Sequence, residues 1–383
     1  MRILQVVKTP QRRGAEIFAL DLSRELERSG HTTAVVYLYA SEAGATLSRR
    51  PGDRCLEGRE RHFAERLPGI HPGLSRRLLR EIRCFEPDIV QLNGSRTVKY
   101  GAAVRRLVHR PAWALLYRSI GDPRHWTGGW LRRALWRRLV LSQMDGIVAT
   151  SRATLAAHQG YFASSVLLTC IPRGIDPDSL APAKAAEATR ADVGTQDGRP
   201  VLLFAGRLAP EKRLDRLLRV ARAVAERVPG TELWVVGGGP LKSEFEEVAA
   251  RSGPLQVRML GEREDVAGYM AAADLLLLTS DTEGTPGALL EGAFLGLPAV
   301  ATRVGGVAEC AIEGETAFLA APDDEHALVA AAVALLSDAG RRRRMGEQAR
   351  RFATERFSIA VIAARYLEVY EKLAGDAPAL RSA

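Results

Sequence analysis

Short apolar runs alternate with amphipathic stretches along this chain, lapse once near the middle, and then resume. No other feature of the sequence constrains its fold as tightly. Strands covered on both faces read as continuous apolar runs, and the helices that cover them carry a helical stripe, so the pattern calls for parallel sheets sandwiched between helices. Residues 3–7 are the first run. A helix follows at 15–29, with Ile17, Leu20 and Leu26 on one face and Gly30 as its stop, then a strand at 33–39. Further short runs lie at 88–92, 112–117, 146–150 and 166–171. Between Asp176 and Pro200 the chain turns to Ala, Pro, Asp and Gly. Strands then resume at 201–205, 232–237, 257–260, 275–279 and 299–301, with helices at 214–227, 241–251 and 287–295. From 356 onward the sequence reads as helix, with Phe357, Ile362, Tyr366, Val369 and Leu373 on one stripe. The expectation is an α/β protein of two doubly wound domains, 1–180 and 200–355, facing across a cleft. A linker at 181–199 joins them, and 356–383 form a C-terminal helix.

Composition narrows the class. The 383 residues give room for two domains, and 46% apolar against 26% charged is a globular balance. No apolar run approaches a membrane span. Cys55, Cys84, Cys170 and Cys310 are too scattered for a zinc site or a disulfide scaffold. The strand pattern begins almost at Met1, which leaves no room for a secretory signal and points to a cytoplasmic protein. Positive charge is unevenly spread. Residues 1–180 carry 29 basic and 16 acidic side chains, whereas the remainder is mildly acidic. A basic half suits an anionic substrate or an anionic membrane face; solvated arginines without a partner are the plainer reading. The segment 125–141 sharpens the membrane option, because Trp126, Trp130 and Trp136 alternate with Arg132, Arg133, Arg137 and Arg138. It reads equally as an ordinary helix with leucines in the core and arginines in water.

The chemistry concentrates in two loops of the second half. In 275–298 an apolar strand runs into a Gly/Pro turn and a helix opens near Gly287. The first N–H groups of a helix have no partner in the helix, so Gly287, Ala288 and Leu289 offer an anion site. Glu283 lies before that helix and Glu291 a turn inside it, a spacing that reaches two ends of one elongated, hydroxyl-bearing ligand. Both also read as acids favoured by the helix dipole. The second loop follows the strand at 201–205 and carries two cations, Arg207 and Lys212, suited to a diphosphate. The glycine run 237–239 is not the spacing of a dinucleotide dehydrogenase.

Taken together, FAGRLAPEKR, WVVGGGPLKSEFE, MLGEREDVAGYMAAADLLLLTS and EGTPGALLEGAFLGLPAVATRVGGVAE resemble the donor half of retaining glycosyltransferases of GT-B fold, of the family 4 type (glycosyl transferases group 1). The resemblance extends to Arg12-Arg-Gly14-Ala-Glu16 and to the stretch ending at His31. It implies two Rossmann-like domains, a C-terminal helix that returns to the first of them, and closure of the domains on a nucleotide-sugar donor. It further implies that Arg207 and Lys212 bind the donor diphosphate with the Gly287–Leu289 amides and Gly14, that Glu291 binds the ribose, and that Glu283 binds the transferred sugar. Thr285 and Pro286 line the sugar pocket, and the base rests near Gly238, Gly261 and Arg263. No metal and no cofactor are implied.

On the acceptor side the chain departs from the family. Asn93 and Ser119, with His125 nearby, stand where histidines are expected, and Arg173 replaces the asparagine of an Ile-Pro-Asn-Gly turn. The reading that follows is transfer of a hexosyl group from a UDP- or GDP-sugar to an acceptor hydroxyl with retention. A nucleotide-sugar epimerase of the same fold, or a nucleotide-sugar-binding protein without transfer, are the alternatives. The acceptor is a small molecule, a lipid or a glycan. Nucleic acid is not an expected partner, since no recognised motif accompanies the positive charge.

Overall fold

A computed structural model describes residues 1–11, 13–40, 47, 50–58, 70–109, 111–121, 130–159 and 166–376. The chain forms two units: Met1–Gly174 together with the stretch from Ile359, and Ile175–Ser358.

The first unit is built on seven parallel strands, β1 (Arg2–Val7), β2 (Thr32–Tyr39), β3 (Arg54–Gly58), β4 (Ile89–Asn93), β5 (Ala114–Ser119), β6 (Gly146–Ala149) and β7 (Leu167–Cys170). Their order in the sheet is β3-β2-β1-β4-β5-β6-β7. Helices α1 (Gly14–Arg28), α2 (Pro72–Phe85), α3 (Ser95–Arg106), α4 (Trp130–Leu139) and α5 (Arg152–Gln159) connect them. Side chains alternate across a strand, which sorts β1 into two cores. Leu4 and Val6 join Leu74, Leu78 and Ile82 of α2 and Val98 of α3, whereas Ile3 joins Phe18, Leu22 and Leu26 of α1 on the opposite face.

The second unit repeats the scheme with six parallel strands, β8 (Val201–Ala205), β9 (Glu232–Val236), β10 (Gln256–Gly261), β11 (Leu275–Leu278), β12 (Ala299–Thr302) and β13 (Ala317–Ala320). Their order is β10-β9-β8-β11-β12-β13. The helices are α6 (Ala186–Val193), α7 (Leu214–Arg227), α8 (Lys242–Ala249), α9 (Val266–Ala272), α10 (Gly287–Phe294), α11 (Glu325–Ser337) and α12 (Ala339–Phe357). A final helix, α13 (Ile359–Asp376), belongs to the first unit and places Ile362, Tyr366, Tyr370 and Leu373 in the core beside α1.

Two boundaries differ from the sequence reading. The segment taken as a linker at 181–199 contains α6, which packs on α9; Arg190 there donates to the Ala272 carbonyl and pairs with Asp274 at 2.8 Å. The unit therefore begins at Ile175. The helix expected from 356 is two helices: α12 ends at Phe357, Ser358 is extended, and α13 starts at Ile359. Phe357 packs in the second unit and the rest of the stripe in the first, so one apolar period had hidden a break between units.

In each sheet the order reverses beside its first strand, at β1/β4 and at β8/β11. At such a switch point the loops leave in opposite directions and open a crevice at the carboxyl ends of the strands.

Candidate functional site

The loop after β8 spans the switch point of the second unit. Leu208 and Ala209 are buried and pin it, which leaves Arg207 exposed and turns Lys212 inward at the end of a short 3-10 turn, Pro210–Lys212. Backbone bonds join this loop to the next one along the sheet: Gly206 N–H donates to Val236 O at 2.9 Å and Leu208 N–H to Gly238 O at 2.9 Å. Gly237 makes this possible. Its φ is +135°, and a Cβ there would lie 1.9 Å from Gly206 O. Gly237 N–H in turn donates to Gly261 O at 2.8 Å. Gly238 and Gly261 thus line the crevice, with Arg263 exposed beyond them.

The loop after β11 is tied to the first loop. Thr279 Oγ1 donates to Lys212 O at 3.1 Å, and Asp281 N–H donates to Glu211 O at 2.9 Å. Arg216 of α7, itself buried, donates to Thr279 O at 2.7 Å and to Asp281 at 2.9 Å. Arg213 bridges Asp215 and Asp281, and its hydrogen bonds to Asp215 hold that carboxyl well below the usual range. Two loops from non-consecutive strands therefore form one stitched platform.

Glu283 lies on that platform. Its Oε1 accepts from Lys212 Nζ at 2.5 Å and from Ser280 Oγ at 2.7 Å. Its backbone carbonyl accepts from Gly306 N–H at 3.1 Å, and the turn that allows this is Gly305, at φ +49°, where a Cβ would lie 1.9 Å from Glu283 O. Three residues past Glu283, Pro286 caps α10 with no side-chain hydrogen bond. The amides of Gly287, Ala288 and Leu289 therefore open onto the carboxyl end of β11, carrying the positive end of the helix dipole. Thr285 and Glu291 are half-buried on either side of that start. Arg207, Lys212, Glu283 and the α10 amides, all read from the sequence as ligand contacts, thus gather at one switch point. The contact between Lys212 and Glu283 was not foreseen, since the sequence gave them separate parts of the ligand.

In the first unit the sequence candidates fare differently. Gly14 opens α1, exposed, with Arg173 Nη1 3.3 Å from where its Cβ would be. Asn93 is buried in a ring of hydrogen bonds: it donates to Gln5 at 2.9 Å and accepts from Gln91, whose carbonyl oxygen accepts from the Tyr370 hydroxyl at 2.7 Å. Ser119 is also fully buried, 2.8 Å from His158 Nε2. Neither residue is presented to a ligand as the sequence reading expected, because each side chain is spent on internal packing. His158 was missed, since only the pairing of β5 with β6 brings positions 119 and 158 together. His125 lies outside the described residues.

Two doubly wound units with a loaded switch point define the GT-B class of fold. Solved structures bear this out: sucrose-phosphate synthase from Thermosynechococcus elongatus matches with a TM-score of 0.79 at 18% identity, over 97% of this chain and 99% of that one. Anabaena HepE, solved in complex with UDP, matches with a TM-score of 0.77 at 20% identity, over 97% and 100%. Residues 12–179 match the family model of Glycosyltransferase Family 4, and residues 199–338 match that of Glycosyl transferases group 1. Among curated relatives, the GDP-mannose-dependent alpha-(1-6)-phosphatidylinositol monomannoside mannosyltransferase of Mycolicibacterium smegmatis is 29% identical over 242 residues, 61% of this chain and 63% of that protein. The chain spans about half to two-thirds of the length of the first curated relatives it matches.

Proposed function

We propose that this protein transfers a hexosyl group from a UDP- or GDP-linked sugar to an acceptor hydroxyl, with retention of anomeric configuration and without a metal ion. The observation that carries the reading is the Lys212–Glu283 pair beside the uncapped start of α10. Two cations and three free amides match the charge of a diphosphate, and a carboxylate beside them matches sugar hydroxyls. The GDP-mannose dependence of one relative and the UDP bound to one structural neighbour support the choice of donor class.

In this scheme the diphosphate displaces Glu283 from Lys212. Lys212 and Arg207 then stabilise charge on the leaving phosphate, and the freed carboxylate orients the sugar. Such preorganised cations do the electrostatic work of catalysis. The departing phosphate oxygen takes the proton of the incoming hydroxyl on the same face, so the bond to the acceptor forms where the bond to phosphate breaks. A nucleotide-sugar-binding protein without transfer is the second reading, favoured by the burial of Asn93 and Ser119. Incubation with UDP- and GDP-sugars separates the two: sugar transferred or slowly hydrolysed with retained configuration, read by NMR, supports transfer. Tight donor binding with no turnover across a broad acceptor panel supports the alternative.

The reading includes peripheral contact with the cytoplasmic face of a membrane. No described helix is long and apolar enough to cross one. Leu107, Leu135 and Leu139 are exposed beside Arg106, Arg137 and Arg138, and Arg106 donates to Arg138 O, which brings the end of α3 against α4. Flotation with anionic vesicles at low salt tests it; no recovery ends the membrane part of the proposal.

A further inference from the structure

Among the described residues, only Glu86 and Arg213 are non-glycines with a positive φ. Arg213 follows Lys212, at φ +50° and ψ +60°, where the short 3-10 turn ends and α7 begins. Its N–H donates to Pro210 O at 3.1 Å and its carbonyl accepts from Leu217 N–H at 3.0 Å, so one left-handed residue closes the turn and opens the helix. Glycine takes that conformation without steric cost, whereas arginine is strained in it. A side chain kept at such a position calls for a use.

What this side chain does is join two loops. Nε and Nη2 donate to the two carboxylate oxygens of Asp215, each at 2.9 Å, and Nη1 donates to Asp281 Oδ2 at 3.0 Å. The fork to Asp215 fixes the guanidinium on the first turn of α7 and leaves its remaining nitrogen aimed at the loop after β11. Asp281 stands two residues before Glu283. The loops after β8 and β11 are therefore crossed by two neighbouring charge pairs, Lys212–Glu283 inside and Arg213–Asp281 outside. Exposure separates them: the inner side chains are 20% and 10% exposed, the outer ones 34% and 45%. Pairs as open as the outer one add little to folding stability, so stability does not account for the strained arginine.

In the proposed scheme the inner pair opens, because a diphosphate takes Lys212 from Glu283. The outer pair uses no group given to the ligand. We infer that Arg213 is a positioning residue: anchored on Asp215, it grips Asp281 and keeps the two loops in register while the donor parts Lys212 from Glu283. The inference rests on the donor reading of the inner pair. It adds that the opening is local, with two side chains exchanging partners between loops that stay clasped.

Isothermal titration of the full chain with UDP and with GDP, beside thermal melting, tests the clasp. Arg213→Gly relieves the backbone as it removes the side chain, so it melts close to the unsubstituted protein. It binds the nucleotide about fivefold more weakly. Arg213→Lys keeps the charge without the fork and recovers part of the affinity. Asp281→Asn weakens binding to a similar degree from the other loop and carries the test should Arg213→Gly fail to fold. Combined with Arg213→Gly it adds little further loss, as expected of partners. Undiminished affinity in Arg213→Gly and Asp281→Asn overturns the clasp. So does a loss that tracks a much lower melting temperature and is no smaller in Arg213→Lys. Failure of the unsubstituted protein to bind either nucleotide refutes the donor reading and the clasp with it, whereas equal binding by unsubstituted protein and variants refutes the clasp alone.

Discussion

Lys212 Nζ and Glu283 Oε1 lie 2.5 Å apart, joining the loop after β8 to the loop after β11. Both side chains are largely sheltered from solvent, so the pair is a held contact between groups to which the proposed function gives a ligand-binding use. Lys212→Ala and Glu283→Ala each lower kcat/KM by more than about tenfold, with near-normal rates in either counting against the assignment. Because the residues touch, the double variant loses less than the product of the single losses.

Arg216 acts on that pair through Thr279. Replacing it with Met removes a charged donor from a buried carbonyl, which costs roughly 1.5–3 kcal/mol in urea unfolding. Its contact with half-exposed Asp281 adds little. The KM for donor rises more than kcat falls, as expected of a residue that positions others. A loss of stability with unchanged donor KM assigns Arg216 a packing role alone.

Gly305 has no room for a side chain. Gly305→Ala meets the Glu283 carbonyl and holds a strained backbone, about 1–3 kcal/mol from conformation alone. The variant loses donor affinity by isothermal titration while keeping the parallel-sheet signature in circular dichroism.

Glu16 makes stability depend on pH. Burial pushes its carboxyl from an ordinary 4.5 up to about 7, against the pull of its own backbone N–H and of Arg13 and Lys8. The folded state thus holds a proton that the unfolded chain has released. The contribution is fully present below about 4.5 and is lost as pH rises through about 7, on the order of 3 kcal/mol at most. Urea midpoints measured from pH 4.5 to 8 fall across that window, and Glu16→Gln flattens the fall. An unchanged slope in that variant places the titration elsewhere.

In the proposed function, Arg207, Lys212 and the α10 amides supply positive charge that a divalent ion would otherwise bring to a diphosphate. Turnover of a nucleotide sugar therefore survives EDTA. Complete loss with recovery on adding magnesium refutes metal independence.

Much of this was legible because parallel strands buried on both faces cannot hide: residues 201–205 and 275–279 read as strands, and the loops after them held the cations and the acid. What was not legible depended on contacts between distant positions. Nothing in the spacing of Lys212 and Glu283 shows that they meet; the β8–β11 pairing does that. The alanine-rich 181–199 looked like a linker because α6 owes its stability to packing on α9, not to an apolar stripe of its own. Asn93 was misjudged although a signal was present. Gln5 and Gln91 interrupt strands that are otherwise apolar, and polar side chains at buried positions announce an internal hydrogen-bond network.

The return of α13 to the first unit bears on how the protein is made. Its Ile362, Tyr366 and Tyr370 fill a core whose other half is translated before the second unit. On the ribosome the second unit emerges entire and is free to fold, whereas the first waits, with apolar surface uncovered, until the residues of α13 have followed it. Early termination near residue 358 would leave the later-made unit competent and strand the earlier one, a natural substrate for chaperones.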